Sequence, residues 1–143
     1  MCNDDDDSKS YHQVKNIAQQ VWNELGPGYA ENIYQKAMLR EFTIQNISFE
    51  TEKVIPVYYK YNQIGFVRAD IVAHIYICGK KIEVIIETKV VSNLTRQHEL
   101  QLLLYGKQLN NDKLMLINFP IKDSAEISCM VHTGDHEKKF VIF

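Results

Sequence analysis

Apolar residues recur every three or four positions in the first third of the chain. The first such stretch starts at Ser10, a plausible helix N-cap, and stops at the GPG segment of residues 26–28, because glycine can take the left-handed conformation that ends a helix and proline cannot continue one. A second stretch covers residues 30–44. The side chains predicted to point inward from it are Ile33, Tyr34, Ala37, Met38 and Phe42. The pattern therefore predicts two amphipathic helices.

The period then changes to two, which is the spacing of strands. Strands are predicted over residues 54–59, where Pro56 indicates a sheet edge, over residues 64–77 and over residues 81–90. The loop after residue 90 offers three possible caps for a third helix, and these are Ser92, Asn93 and Thr95.

The third helix is predicted over residues 95–109. The continuous apolar run at residues 114–119 is typical of a strand buried on both faces. A hairpin formed by residues 127–132 and 138–143 follows. The order is ααβββαβ and then ββ, which predicts one mixed α/β domain.

Length and composition set the frame for that domain. The 143 residues suffice for one core, and we expect a single domain over residues 10–143 behind a disordered acidic tip at residues 1–9. The net charge is −2, with four acidic residues in the run Asp4–Asp7, so the body is weakly basic and neither requires nor excludes nucleic acid. Three cysteines make no disulfide framework, and no apolar run could cross a membrane, so we expect an intracellular, reducing compartment such as cytoplasm or nucleus.

Three charged residues lie at the ends of the two central strands. A tight turn at residues 79–80 would pair Asp70 with Lys89 and make Glu87 a diagonal neighbour, so all three would share one face of the hairpin. A one-residue slip would separate them. Two carboxylates so placed can share a divalent cation, and oxygen ligands suit Mg²⁺ or Mn²⁺. The plainer alternative is a salt-bridged hairpin end between Asp70 and Lys89.

Further polar residues could converge on the same place. Gln101 and Tyr105 lie one turn apart on the third helix, and as the boundary of an amphipathic helix the pair would carry no function. Glu31 begins the second helix, where the helix dipole alone favours a carboxylate. It also shares a face with Tyr34 and Met38, however, and a carboxylate that leans toward a core needs a partner.

Five segments together resemble a known family. They are GYAENIY at residues 28–34, VRAD at 67–70, VIIETK at 84–89, QLLLY at 101–105 and LMLINF at 114–119. In this order they resemble the GxxExxY protein family, a branch of the PD-(D/E)xK nuclease superfamily. The chain departs from the superfamily pattern at Ala69, where the name places a proline.

The resemblance implies a restriction-endonuclease-like α/β core, a mixed β-sheet flanked by helices. It also implies a metal-dependent nuclease that hydrolyses phosphodiester bonds in DNA or RNA. Carried over residue by residue, Glu31, Asp70 and Glu87 would be the metal ligands within a catalytic set that also includes Lys89, Gln101 and Tyr105. Two alternatives stay open, a nuclease-like fold that binds nucleic acid without cleavage and an interaction module with a structural polar cluster.

The basic residues suggest where nucleic acid could approach. Arg96 lies near Lys89 at a helix N-terminus and is the first choice for a phosphate contact, with Lys36 and Arg40 on the second helix as further candidates. Basic residues on a solvated face are the ordinary expectation for such positions. We expect DNA in preference to RNA. A homodimer could form through the apolar end at residues 140–143, which either completes the sheet or pairs with another chain.

Overall fold

The structure is a computed structural model that describes residues 5–122, 125–134 and 139–143. Its elements follow the predicted order of two helices, three strands, a helix, a strand and a terminal hairpin. They are α1 (Asp6–Leu25), α2 (Glu31–Ile44), β1 (Ser48–Tyr59), β2 (Asn62–Ile77), β3 (Lys80–Lys89), α3 (Arg96–Leu109), β4 (Leu114–Asn118), β5 (Ser128–His132) and β6 (Phe140–Ile142).

The strands form one mixed sheet in the order β1-β2-β3-β4-β5-β6. Only β3 and β4 run parallel, and α3 makes the crossover between them. Every residue of β4 is buried, as its apolar run predicts, because it lies between two strands and beneath helices on both faces. Pro56 lies on β1, an edge strand, where a missing N–H costs no ladder hydrogen bond. The predicted α/β fold class is confirmed.

Helices cover both faces of the sheet. On one face α1 and α2 bury a large core, in which Ile17 and Phe42 meet strand residues such as Ile86. On the other face α3 buries a smaller core, in which Leu102 and Tyr105 meet strand residues of the opposite parity. Successive side chains of β3 therefore point into different helical layers, and this alternation sets the directions of the polar side chains at the end of the strand.

The first helix starts earlier than its apolar pattern indicates. Asp5 is the N-cap, and residues 6–9 of the predicted disordered tip are helical, while residues 1–4 lie outside the described part of the chain. Two acidic residues in the first turn favour this start through the helix dipole. Ser10 is therefore no cap; its Oγ donates to the Asp7 carbonyl at 2.6 Å. In α2 the prediction for Ile33 was wrong, because its side chain is 38% exposed.

The β2–β3 hairpin keeps the predicted parity but not the predicted register. Ile77 pairs with Lys80, so the turn residues are Cys78 and Gly79 rather than residues 79–80. Both have positive φ, 52° and 76°, as a type I′ turn requires, and Gly79 takes its second position without strain. The shift moves the pairing by two residues, so side chains keep their faces while their neighbours change.

The predicted pairing of the last two strands is present between β5 and β6, and residues 135–138 lie outside the described part of the chain. The last strand, β6, pairs with β5 at the edge of the sheet, so the apolar end completes the sheet, which is the first of the two alternatives given for it. Phe143 packs against the larger core, whereas Ile142 stays 88% exposed. Within the described residues, no helix has the length and apolar character needed to span a bilayer.

Candidate metal centre

Strands β2 and β3 separate at the acidic residues. The last paired residues are Ile71 and Ile86, and the next residue on each strand is Asp70 and Glu87 respectively. Beyond this point the Thr88 N–H donates to Asp70 Oδ2 at 3.5 Å. The two carboxylates are therefore adjacent neighbours at a fork in the sheet, closer than the diagonal arrangement predicted from the sequence.

Helix α2 brings the third carboxylate to this fork. Glu31 is its first residue, where the dipole favours a negative charge. The preceding loop is fastened by Tyr34, whose hydroxyl donates to the Gly26 carbonyl at 2.6 Å and accepts the Tyr29 N–H at 3.3 Å. The ring of Tyr34 is fully buried and stacks on Phe119 at 4.6 Å. This tyrosine thus ties the start of α2 to the core.

The three carboxylates form a compact cluster. One ligand oxygen from each of Glu31, Asp70 and Glu87 lies within 4.8 Å of the others. Glu87 is only 3% exposed, and the other two are half-buried. Three oxygen donors at such spacing could hold one divalent cation, with room left for water or substrate.

The electrostatics of the cluster favour a bound cation. Burial raises the pKa of Glu87 well above its usual range, and a hydrogen bond to Asp70 and the charge of that residue add to the effect. Burial also raises the pKa of Glu31, and Asp70 contributes again. The Oε2 atom of Glu87 is buried without a hydrogen-bond partner. A cation would satisfy this oxygen and relieve the repulsion, so the residues present fit a metal ion.

Two residues that the sequence analysis missed hold the cluster together. Gln35 Nε2 donates to Thr88 Oγ1 at 2.8 Å, to Asp70 Oδ2 at 3.1 Å and to Glu31 Oε1 at 3.3 Å. Thr88 Oγ1 also donates to Glu31 Oε1 at 3.4 Å. A possible signal was the position of Gln35, one helical turn after Glu31 and on the same face.

Lys89 closes β3 beside the acidic cluster. It pairs with Asn118 of β4, and its carbonyl accepts the Phe119 N–H at 2.8 Å. The charge of Lys89 lowers the pKa of Glu31 and Glu87, although the effects that raise these pKa values are larger. The ion pairs within 4.0 Å among the described residues do not include Lys89. Its ammonium group therefore lies near the cluster but forms no ion pair with any of the three carboxylates.

Helix α3 brings Tyr105 to the opposite side of the cluster. Tyr105 is 3% exposed, and its pKa is raised to about 12 by burial and by the charges of Glu87 and Asp70. A hydrogen bond to the exposed Gln101 side chain works in the other direction. The predicted pair of Gln101 and Tyr105 is thus in contact, with the tyrosine inward and the glutamine outward.

The predicted nucleic-acid contacts do not join this cluster. Arg96 is at the start of α3, where it pairs with Glu99 at 2.9 Å. Lys36 and Arg40 lie on the exposed outer face of α2, about 140° and 180° around the helix axis from Glu31. Their side chains are therefore separated from the carboxylates by the helix itself.

The chain thus combines a mixed sheet between helical layers with acidic side chains gathered where two of its strands separate. The sequence profile of the PD-(D/E)XK nuclease superfamily matches residues 8–129. This chain therefore belongs to the PD-(D/E)XK nuclease superfamily, whose members are metal-dependent phosphodiesterases.

Comparisons with individual proteins add little to this assignment. None of the curated proteins matches the chain. A crystal structure of SSO0001 is similar, with 20% sequence identity and a TM-score of 0.45 over 80% of this chain and 56% of that one. The chain thus spans little more than half the length of that protein.

Proposed function

We propose that this protein is a Mg²⁺- or Mn²⁺-dependent nuclease of the GxxExxY branch that hydrolyses phosphodiester bonds in DNA or RNA. The observation that best supports this proposal is that the Glu31, Asp70 and Glu87 carboxylates lie within 4.8 Å of one another, and one of their buried oxygens lacks a hydrogen-bond partner. The family assignment supports the reaction class, and the geometry supports the choice of residues. DNA is the preferred substrate in this proposal.

The acidic residues and the lysine have separate roles. Glu31, Asp70 and Glu87 would hold the ion, which when bound polarises a phosphoryl oxygen and acidifies water. Lys89, beside them on β3, stabilises negative charge that develops on the phosphate and helps to orient the attacking water. Because Lys89 has no ion-pair partner among the described residues, its charge is available for this purpose.

Supporting groups hold these residues in place. Gln35 and Thr88 fix the Glu31 and Asp70 carboxylates by hydrogen bonds, so both are positioning residues. Tyr105 keeps its proton at neutral pH because its pKa is about 12, which makes it a hydrogen-bond donor toward the site. Arg96, at the N-terminus of α3, remains the proposed phosphate contact outside the cluster.

The test combines metal binding with hydrolysis. Purified protein is incubated with Mn²⁺ and labelled single- and double-stranded DNA and RNA, beside Asp70→Ala, Glu87→Ala and Lys89→Ala. We expect the two acidic substitutions to abolish metal binding measured by calorimetry, and all three to abolish cleavage. Glu24→Gln is the matched control, because it changes an exposed glutamate of α1 outside the cluster.

Each possible result has a definite meaning. Metal binding without cleavage of any substrate would refute the nuclease proposal. Nucleic-acid binding that survives the Asp70 and Glu87 substitutions, again without cleavage, would indicate a fold that binds without hydrolysis. Cleavage that persists in Lys89→Ala would remove this lysine from the catalytic set.

A further inference from the structure

The hairpin between β1 and β2 extends well beyond the sheet. Strand β2 pairs with β3 only from Ile71 onward, whereas residues 62–69 pair with β1 alone. We call residues 53–68 the arm. Every residue from Tyr58 to Phe66 is exposed. At the base of the arm Ile55 is buried in the smaller core and Val67 packs against it, but the outer part from Tyr58 to Phe66 covers no core, so its composition must serve another purpose.

The arm exposes large aromatic side chains. Four rings are exposed by more than half, and they are Tyr58 at 59%, Tyr59 at 61%, Tyr61 at 101% and Phe66 at 54%. Val54 and Ile64 on the same arm are also exposed, at 55% and 66%. Tyr58 and Phe66 share one face of the ribbon and Tyr59 lies on the other, so large apolar side chains are exposed on both faces, as is typical of an interaction surface.

The charge of the arm is of one sign. Residues 53–68 include Lys53, Lys60 and Arg68 and no acidic residue, in a chain whose net charge is −2. Two of these cations lie against exposed rings, Lys60 at 5.5 Å from the centroid of Tyr59 and Arg68 at 5.2 Å from that of Phe66. Aromatic rings interleaved with cations suit a polyanion that also carries flat, stackable groups.

The tip of the arm is built from an unfavourable turn. Lys60 and Tyr61 are the two central residues between the paired Tyr59 and Asn62, and both have positive φ, 47° and 69°. Such a type I′ turn is relaxed with Asn-Gly and costs free energy with side chains of this size. The turn keeps a lysine and the most exposed tyrosine at the tip, at a cost in backbone free energy that an Asn-Gly turn would avoid.

The arm leads directly to the candidate metal centre. Arg68 precedes Asp70 by two residues on β2, and Tyr61 at the tip is about 30 Å from Asp70 in the direction of the strand. A strand of nucleic acid lying along the arm would therefore reach the carboxylates with its phosphates. Duplex bases are stacked on each other and offer no face to a ring, whereas unpaired bases do.

We propose that the arm binds single-stranded nucleic acid, by stacking unpaired bases on its exposed rings and pairing phosphates with Lys60 and Arg68. The inference rests on the proposed nuclease function and names its substrate class. It predicts cleavage of single strands, flaps or unpaired regions in preference to intact duplex.

The test measures binding apart from hydrolysis. Fluorescence anisotropy follows labelled oligothymidylate, oligouridylate and a blunt duplex of equal length, with the full chain in EDTA. We expect the single strands to bind at least about tenfold more tightly than the duplex. Combined Tyr59→Ser, Tyr61→Ser and Phe66→Ser substitutions should weaken single-strand binding at least about tenfold, because each lost stack contributes separately. The matched control is Tyr76→Ser, an exposed tyrosine of β2 outside the arm, which should bind like the wild type.

Two further variants separate charge and strain. Lys60→Gln and Arg68→Gln should each reduce the slope of log affinity against log salt by about 0.7, as expected for one phosphate contact on a single strand. The double change Lys60→Asn with Tyr61→Gly should raise the melting temperature, because it relaxes the turn, and should weaken single-strand binding at the same time. A purely structural turn would show no loss of binding.

Three results would overturn the proposal. They are duplex affinity equal to single-strand affinity, wild-type binding by the triple serine variant, and a dimer in sedimentation that the triple variant converts to monomer without any single-strand binding by the wild type. Cleavage in Mn²⁺ is scored separately. Single-strand binding in EDTA without hydrolysis in Mn²⁺ would support the proposal for the arm and refute the nuclease function. Hydrolysis without preference for unpaired strands would support the nuclease function and refute the proposal for the arm.

Discussion

Replacing Glu87 by glutamine should stabilise the metal-free protein. The wild-type side chain is 3% exposed, and its Oε2 has no hydrogen-bond partner. Holding this buried acid protonated costs about 1.4 kcal/mol for every pH unit above its ordinary pKa. Glutamine keeps the shape of the side chain, is neutral at every pH and can donate to Asp70 as the protonated acid does. We therefore expect the free energy of unfolding in EDTA to rise by about 1–3 kcal/mol, or about 3–9 °C in melting temperature for a chain of this size.

The effect should depend on pH in a specified direction. Because the folded pKa of Glu87 is raised above its ordinary value of 4.5, the native state binds more protons than the unfolded state above that pH. The metal-free wild type should then lose stability as pH rises from about 5 toward 8, and Glu31 acts in the same direction. The Glu87→Gln variant should show a flatter profile, so the difference between the two proteins grows with pH.

Metal ions should reverse the ranking. A ligand at a thousand times its dissociation constant stabilises the native state by about 4.1 kcal/mol, which exceeds the difference in EDTA, and the wild type should gain this amount with Mn²⁺. Glu87→Gln removes one of three ligand carboxylates and should gain much less. The wild type is then the more stable protein in Mn²⁺ and the less stable one in EDTA.

Differential scanning fluorimetry and urea unfolding at three pH values, with EDTA or Mn²⁺, provide the measurement. Glu24→Gln serves as control and should follow the wild type under all conditions, since it changes an exposed glutamate of α1. The reasoning is refuted if Glu87→Gln is less stable than the wild type in EDTA at high pH, or if Mn²⁺ stabilises both proteins equally.

Three further predictions concern the scaffold. Tyr34→Phe should cost about 1–2 kcal/mol in urea unfolding, because it removes the 2.6 Å hydrogen bond that fastens the loop before α2; unchanged stability would show that this bond holds nothing. Gly106→Ala should cost about 1–3 kcal/mol, since a Cβ there would lie 2.6 Å from a main-chain oxygen, whereas Gly65→Ala meets nothing within 4 Å and should be nearly neutral. In native alkylation read by peptide mass spectrometry, the exposed Cys78 should react and Cys129 should not, because burial raises the pKa of its thiol to about 11; rapid labelling of Cys129 would contradict its placement in the core.

Hydrophobic periodicity was sufficient to predict the elements and their order. The apolar run of β4 and the stripes of α1 and α2 each bury a continuous face, so their type follows from pattern alone. The start of α1 could not be predicted in the same way, because the acidic residues before Ser10 join the helix through its dipole and not through burial.

The candidate site was predictable in its members but not in its geometry. The β2–β3 parity places Asp70 and Glu87 together under either turn, yet the CGKK sequence allows two turns that differ by two residues in register. The choice depends on Cys78 adopting positive φ, which composition does not reveal. Gln35 was missed because its partners come from two strands distant in sequence, and such contacts exist only after α2 has packed on the sheet.

The amide of Gln35 has two hydrogens but three oxygen acceptors around its nitrogen, on Glu31, Asp70 and Thr88. At any moment at least one of the three oxygens receives no hydrogen from this amide, so the oxygens compete for its two hydrogens. An ion that drew the two carboxylates toward itself would leave the threonine as the amide's main remaining acceptor. The side-chain NH₂ resonances of this single glutamine should therefore act as a built-in reporter of loading, visible by NMR without any label on the substrate.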